Sequence, residues 1–226
     1  MFFWDPTFVL LIPALILALY AHHRVRSTYQ QFLRVPSSSG KTGREIAKAI
    51  LNRNNLNNIK IEMTERTLSD HYDPRSKVLR LSPPVYEGSS IAALGIAAHE
   101  AGHAIQDGTS YTPLKIRHGL FPVANVGTAL AFPLFLLGFL FQFRSLMDIG
   151  ILFFAGAVLF QVVTLPVEFN ASRRALNQLE GTGLVDQGDL AGGRKVLNAA
   201  ALTYVAAAAV AATQLIRLLV LRGSRD

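Results

Sequence analysis

The most informative residues are His99-Glu100-Ala101-Gly102-His103. Histidines four apart lie on one face of an α-helix, so both imidazoles can reach a single zinc ion. The glutamate beside the first histidine then flanks the open coordination position. There it can take a proton from zinc-bound water and pass it to a leaving amine. Two ordinary helix histidines are the plainer alternative. Gly102 speaks against it, because glycine inside a helix costs about 1 kcal/mol. That cost makes sense where another backbone or a substrate comes close. The chain contains no cysteine, which excludes thiolate ligands, a catalytic thiol and a disulfide framework. Any metal must be held by His, Asp or Glu.

A catalytic zinc takes three protein ligands and keeps one position for water. Glu168 is the best candidate for the third ligand. It closes a long apolar stretch, where a carboxylate is costly unless it is paired or binds a metal. On a helix Gln161, Thr164 and Glu168 share one face, a polar stripe leading to the carboxylate. The competing role for Glu168 is an acid that simply marks a membrane boundary. For the developing oxyanion, His71, Tyr72, Arg173 and Arg174 are possible transition-state or substrate contacts, each with a structural role as the plainer alternative. The strand around Lys77–Ser82 could pair with an extended peptide if its edge is free; otherwise it only builds the sheet.

Four stretches are apolar over lengths near the 17–25 residues that a helix needs to cross hydrocarbon. They are residues 6–22, 120–143, 149–167 and 196–216 of the 226. Half the residues are hydrophobic and only 16% are charged, against about a quarter in a soluble domain. No basic segment precedes the first stretch and no small-x-small site follows it, so it reads as an uncleaved anchor. Arg24, Arg26 and Arg34 come after it and place the following chain in the cytoplasm. Two spans separate His103 from Glu168, which puts both on one side. The charges agree. Of 22 Lys and Arg, 14 lie in residues 24–117 and 4 in residues 167–198, with only Arg144, Arg217, Arg222 and Arg225 opposite. The net charge of +7 is thereby explained as topology, without nucleic acid.

Residues 27–118 have the character of a small α+β domain. Thr42-Gly43-Arg44-Glu45 is a capping box opening a helix. Ile59–Met63 and Lys77–Leu81 alternate like half-buried strands around an Asp73-Pro74-Arg75 turn. Ser89 or Ser90 then caps a helix to about Gln106, with Gly108 as its stop. Residues 168–195 read as a polar return segment carrying the third ligand, with Gly181, Gly183, Gly188, Gly192 and Gly193 marking loops.

His99-Glu-Ala-Gly-His103-Ala-Ile-Gln106 and Leu165-Pro-Val-Glu168-Phe-Asn-Ala-Ser-Arg-Arg174 resemble the YugP-type neutral zinc metallopeptidases, bacterial membrane proteins of the gluzincin kind. Ser69-Asp-His-Tyr-Asp-Pro74 and Leu79-Arg-Leu-Ser-Pro83 extend the resemblance over nearly the whole chain. It implies zinc on His99, His103 and Glu168, with Glu100 as general base. The Glu-Phe-Asn-Ala-Ser run is also similar to the Glu-x-x-Ala-Asp segment of membrane heat-shock and prenyl-protein proteases. Ser172 stands where those have Asp, and Asn170 where the YugP-type family usually has Asp.

The expected protein is a mostly helical integral membrane protein of a bacterial cell membrane. It has about four transmembrane helices, with a zincin-like α+β domain between the first and second. The expected activity is that of a zinc-dependent metalloendopeptidase acting on peptide or protein substrates, in contact with membrane lipid, with its active site cytoplasmic. The alternative is a non-enzymatic membrane scaffold that retains a structural zinc site. Such a scaffold would tolerate loss of Glu100, which is nevertheless present. A transporter should carry ionisable groups inside its spans, and residues 121–143 and 149–167 have none.

Overall fold

A computed structural model of the chain describes residues 6–183 and 185–224. Asp5 and Arg225, which bound the first apolar stretch and enter the charge count, lie outside the described residues. The chain divides into two compact units.

One unit comprises His23–Leu114 and Val167–Leu202. The capping box forms as its sequence dictates. The Glu45 N–H donates to the Thr42 hydroxyl at 3.2 Å, and the Thr42 N–H donates to the Glu45 carboxylate at 2.8 Å. Helix α2 (Gly43–Arg53) follows and buries Ile46, Ala47, Ile50 and Leu51, one stripe at helical spacing. Three strands form a sheet in the order β1-β3-β2: β1 is Lys60–Met63, β2 His71–Asp73 and β3 Val78–Leu81. β1 runs parallel to β3, and β2 antiparallel to it. The turn before β3 is fixed by Asp73, whose carboxylate accepts from the Arg75 N–H at 2.9 Å and the Ser76 hydroxyl at 2.6 Å. β3 buries Val78, Leu79 and Leu81 and is bonded on both sides. Its edge is therefore not free, and the Lys77–Ser82 segment builds the sheet rather than receiving a peptide.

A short helix α3 (Pro83–Tyr86) leads to α4 (Ile91–Gly108). Ser90, not Ser89, caps α4, accepting from the Ala93 N–H at 3.2 Å. Gly108 is the last helical residue rather than the stop beyond it. α4 runs through the centre of the unit. Ala93, Ala97, Ala101 and Ala104 pack there with Ile46, Ile50, Leu79 and Leu81 of the earlier elements.

The other unit comprises the chain up to His22, Lys115–Pro166 and Thr203 onward. Four helices are long and apolar enough to cross a membrane: Pro6–Leu33, Thr112–Phe141, Arg144–Gly181 and Gln187–Gly223. Within these stretches lie α1 (Ile12–Leu33), α5 (Thr112–Phe141), α6 (Arg144–Thr182) and α7 (Gln187–Gly223). α5 and α6 approach backbone to backbone. A Cβ at Gly127 would stand 2.7 Å from the Phe153 carbonyl, the close contact that small residues permit between apolar helices. Phe135 and Met147 pack with Leu218 of α7. Large apolar side chains such as Leu19 and Leu152, each 72% exposed, face outward.

Residues 168–195 differ from their sequence reading. α6 continues to Thr182 and α7 begins at Gln187, so Gly181, Gly188, Gly192 and Gly193 are helical. Only Gly183 occupies a turn, at φ +66°.

A candidate metal centre of two histidines and a glutamate

α4 presents His99 and His103 one turn apart, and α6 presents Glu168 and Ser172 one turn apart. Gly102 brings the two helices together. A Cβ there would lie 2.6 Å from the Ala171 carbonyl oxygen, so a larger residue would separate them. The approach anticipated at Gly102 is thus made by the α6 backbone. Across it the Glu168 Oε2 lies 3.2 Å from His99 Nε2 and 3.5 Å from His103 Nε2. The candidate ligand atoms of all three residues lie within 4.8 Å of one another. Zinc bonds of about 2 Å in a tetrahedron separate neighbouring ligand atoms by roughly 3.3 Å. Two imidazole nitrogens and one carboxylate oxygen are also a donor set that catalytic zinc uses. Glu168 is 2% exposed, and a bound cation would offset part of the cost of burying its carboxylate.

The outward nitrogens of both rings are occupied. The Gln106 side chain is fully buried, and its amide nitrogen donates to the Val167 carbonyl at 2.8 Å and to Asn170 Oδ1 at 3.0 Å. A carbonyl oxygen only accepts, which fixes the amide orientation and turns Gln106 Oε1 toward His103 Nδ1 at 3.0 Å. His103 must therefore carry its proton on Nδ1 and keep a lone pair on Nε2, the tautomer a metal requires. Arg174 Nε donates to the same Asn170 oxygen at 2.8 Å and completes a chain from guanidinium to imidazole. His99 Nδ1 meets the Ser172 hydroxyl at 3.2 Å. Asn170 and Ser172, the two departures noted in the sequence, thus supply an amide oxygen and a hydroxyl where acidic residues were the expectation. Sequence reasoning assigned Gln106 no role, although its spacing of three from His103 puts the two on neighbouring positions of the helix surface.

Glu100 is buried on α4, 7% exposed. Burial pushes its carboxyl up to about 7; His99 pulls it down, while Glu168 and Asp70 push it further up. The backbone N–H of Tyr72 on β2 donates to it and also lowers it. The Tyr72 side chain is engaged elsewhere: its hydroxyl donates to Asp107 at 2.7 Å, a carboxylate that Lys77 also reaches at 2.5 Å. His71 Nδ1 lies 2.8 Å from the Ser69 carbonyl and Nε2 lies 3.5 Å from Arg80. Arg174 stacks over Tyr111 at 5.8 Å besides bonding Asn170. Arg173 is exposed. Of the four possible substrate contacts, Tyr72 reaches Glu100 through its backbone and Arg174 reaches His103 only through Asn170 and Gln106.

A chain of this fold with two helical histidines, a buried carboxylate and a flanking glutamate fits one class of protein. Residues 7–223 match the family described as "Putative neutral zinc metallopeptidase", and the chain belongs to that family. A relative from Bacillus subtilis (strain 168), named "Putative membrane protease YugP", is 47% identical over 208 residues, 92% of each chain. No solved structure matches.

Proposed function

We propose that this protein is a membrane-spanning zinc endopeptidase of the gluzincin kind. His99, His103 and Glu168 would hold the metal, and Glu100 would be the general base. The observation that carries this proposal is the convergence of Glu168 Oε2 on both Nε2 atoms at 3.2 and 3.5 Å, with Glu100 on the turn between the histidines. When bound, zinc supplies Lewis-acid polarisation of a carbonyl and makes water easier to deprotonate. The protein residues do the rest. Gln106 and Ser172 hold the two rings by their Nδ1 atoms, so both Nε2 lone pairs stay aimed at one point. Glu100 accepts a proton and returns it to the departing amine. A carboxylate on the turn between the two histidines is placed to serve both directions.

The four long apolar helices support the membrane assignment, as does the printed name of the Bacillus relative. The basic residues flanking the apolar stretches, Arg24, Arg26, Lys115, Arg117, Arg173 and Arg174, favour a cytoplasmic site. Digestion of casein by detergent-purified protein tests the assignment. About one zinc per chain and cleavage that a chelator abolishes and zinc restores are expected. Stoichiometric zinc without cleavage of casein or a peptide library would make the site structural.

A further inference from the structure

A cavity of about 800 Å³ opens within the apolar unit, walled by α1, α6 and α7 with Arg117 of α5. Its chemistry changes along its length. His22 follows Leu11 by eleven residues along the Pro6–Leu33 stretch, Gln161 and Thr164 follow Phe154 on α6, and Tyr204 precedes Val210 on α7. Because successive helices of a spanning bundle alternate in direction, these polar residues and Arg117 gather at one end. Leu11, Leu15, Phe154 and Val210 form the other. The one polar residue at the apolar end, Gln214, already accepts from Arg217 at 3.5 Å.

We propose that this cavity binds one acyl chain of an amphiphile with a small polar head that hydrogen-bonds Gln161. The proposal rests on the membrane-spanning assignment above and is independent of the peptidase assignment. Eleven helical residues rise about 16 Å, and a helix about 10 Å across and that long fills roughly 1,300 Å³. A transmembrane peptide therefore overfills the space. A volume of 800 Å³ lies instead within the range of about 300–1,000 Å³ typical of small-molecule sites. A bare hydrocarbon would suit the apolar end but not Gln161, whose amide has no hydrogen-bond partner among the described residues. An amide at membrane depth needs a partner, and a head group beside it supplies one.

A carboxylate or a phosphate head would satisfy the same chemistry, so the test uses both. Membranes carrying the full chain are washed with carbonate and labelled with diazirine-bearing palmitic acid or diazirine-bearing lysophosphatidic acid. Crosslinked residues are then mapped by mass spectrometry. Release of the chain by the wash overturns the spanning assignment, and the proposal with it. In retained chain, saturable labelling at Leu15, Phe154 or Val210 by either probe is the expected result, and the unlabelled competitor that suppresses it identifies the head. Ala211→Phe and Ala18→Phe, which fill the cavity from two different walls, should each abolish labelling. Leu152→Phe on the outer face should leave it unchanged. Gln161→Leu should weaken probe binding about 3–10-fold, the size of one lost hydrogen bond. Unsaturable labelling spread equally over Leu19 and Leu152, or full labelling in both filled variants, overturns the proposal.

Discussion

Each metal-site imidazole is held by one nitrogen so that the other stays free. The Gln106 carboxamide sets the proton of His103 at 3.0 Å, and the Ser172 hydroxyl meets His99 at 3.2 Å. Replacing Gln106 with Leu removes the acceptor that fixes the His103 tautomer and one donor each to Asn170 and the Val167 carbonyl. Zinc affinity should fall about 10–100-fold, the usual cost of losing such a partner, as read by competition with a chromophoric chelator. Glu168→Gln removes one of three ligands and should strip the metal, as measured by elemental analysis of purified protein. Full zinc in Glu168→Gln would assign the third position to another acid. The histidines and Glu100 are legible from spacing alone, and Glu168 from the improbability of a carboxylate closing an apolar span. The holding residues are less legible. A buried glutamine and a serine resemble ordinary helix polar residues until the partner helix is in place.

Helix α4 is built of small residues where it meets α6, and Gly102 is the tightest point. Gly102→Val would drive its side chain against the Ala171 carbonyl, where even a Cβ would stand 2.6 Å away. Overpacking of this kind typically costs about 1–3 kcal/mol. Both a lower thermal midpoint and weaker zinc binding are expected, since His99 and His103 move away from Glu168 together. Stability unchanged in Gly102→Val would mean that the two helices are not in this contact. Thr42→Ala should cost about 1 kcal/mol through loss of the cap, read by denaturant unfolding, with zinc content unchanged. The cap, β1, β3 and α4 are visible in the sequence because each is a local signal. β2 is not, since three residues, His71–Asp73, are too few to show alternation and are recruited by pairing to β3. The glycines of residues 168–195 mislead for a related reason. In an exposed loop they would favour turns, whereas at Gly192 the space beside the helix is taken by Ile91 and Phe32.

Across the whole chain, the two apolar stretches 120–143 and 149–167 separate the histidines from the glutamate in sequence, yet the three side chains converge. That requires an even number of membrane crossings between them. Reporters fused after residue 40 and within residues 180–190 should therefore read the same side, the cytoplasmic one, and a reporter at Arg144–Ser145 the opposite side. Opposite readings at 40 and 185 would break the metal site as described. The proposed topology would also account for the basic residues, because Lys and Arg near the ends of apolar spans collect on the cytoplasmic face. At this scale composition makes the four long apolar helices legible, while their sidedness awaits the reporters. The apolar unit's cavity is the part composition leaves hidden, since packing of four helices, not any one sequence stretch, creates it.

Under the proposed function, hydrolysis, as opposed to metal binding, would depend on a single carboxylate, Glu100, that is not a ligand. Glu100→Gln keeps the size and helix propensity of the side chain and leaves His99, His103 and Glu168 in place. The decisive measurement is the initial rate of peptide cleavage by this variant against the parent, both loaded with equal zinc. Loss of a general base costs about 10²–10⁴-fold in rate, and a drop of at least that size with unchanged zinc content is the predicted result. Equal rates in the two proteins would contradict the assignment of Glu100 as the base.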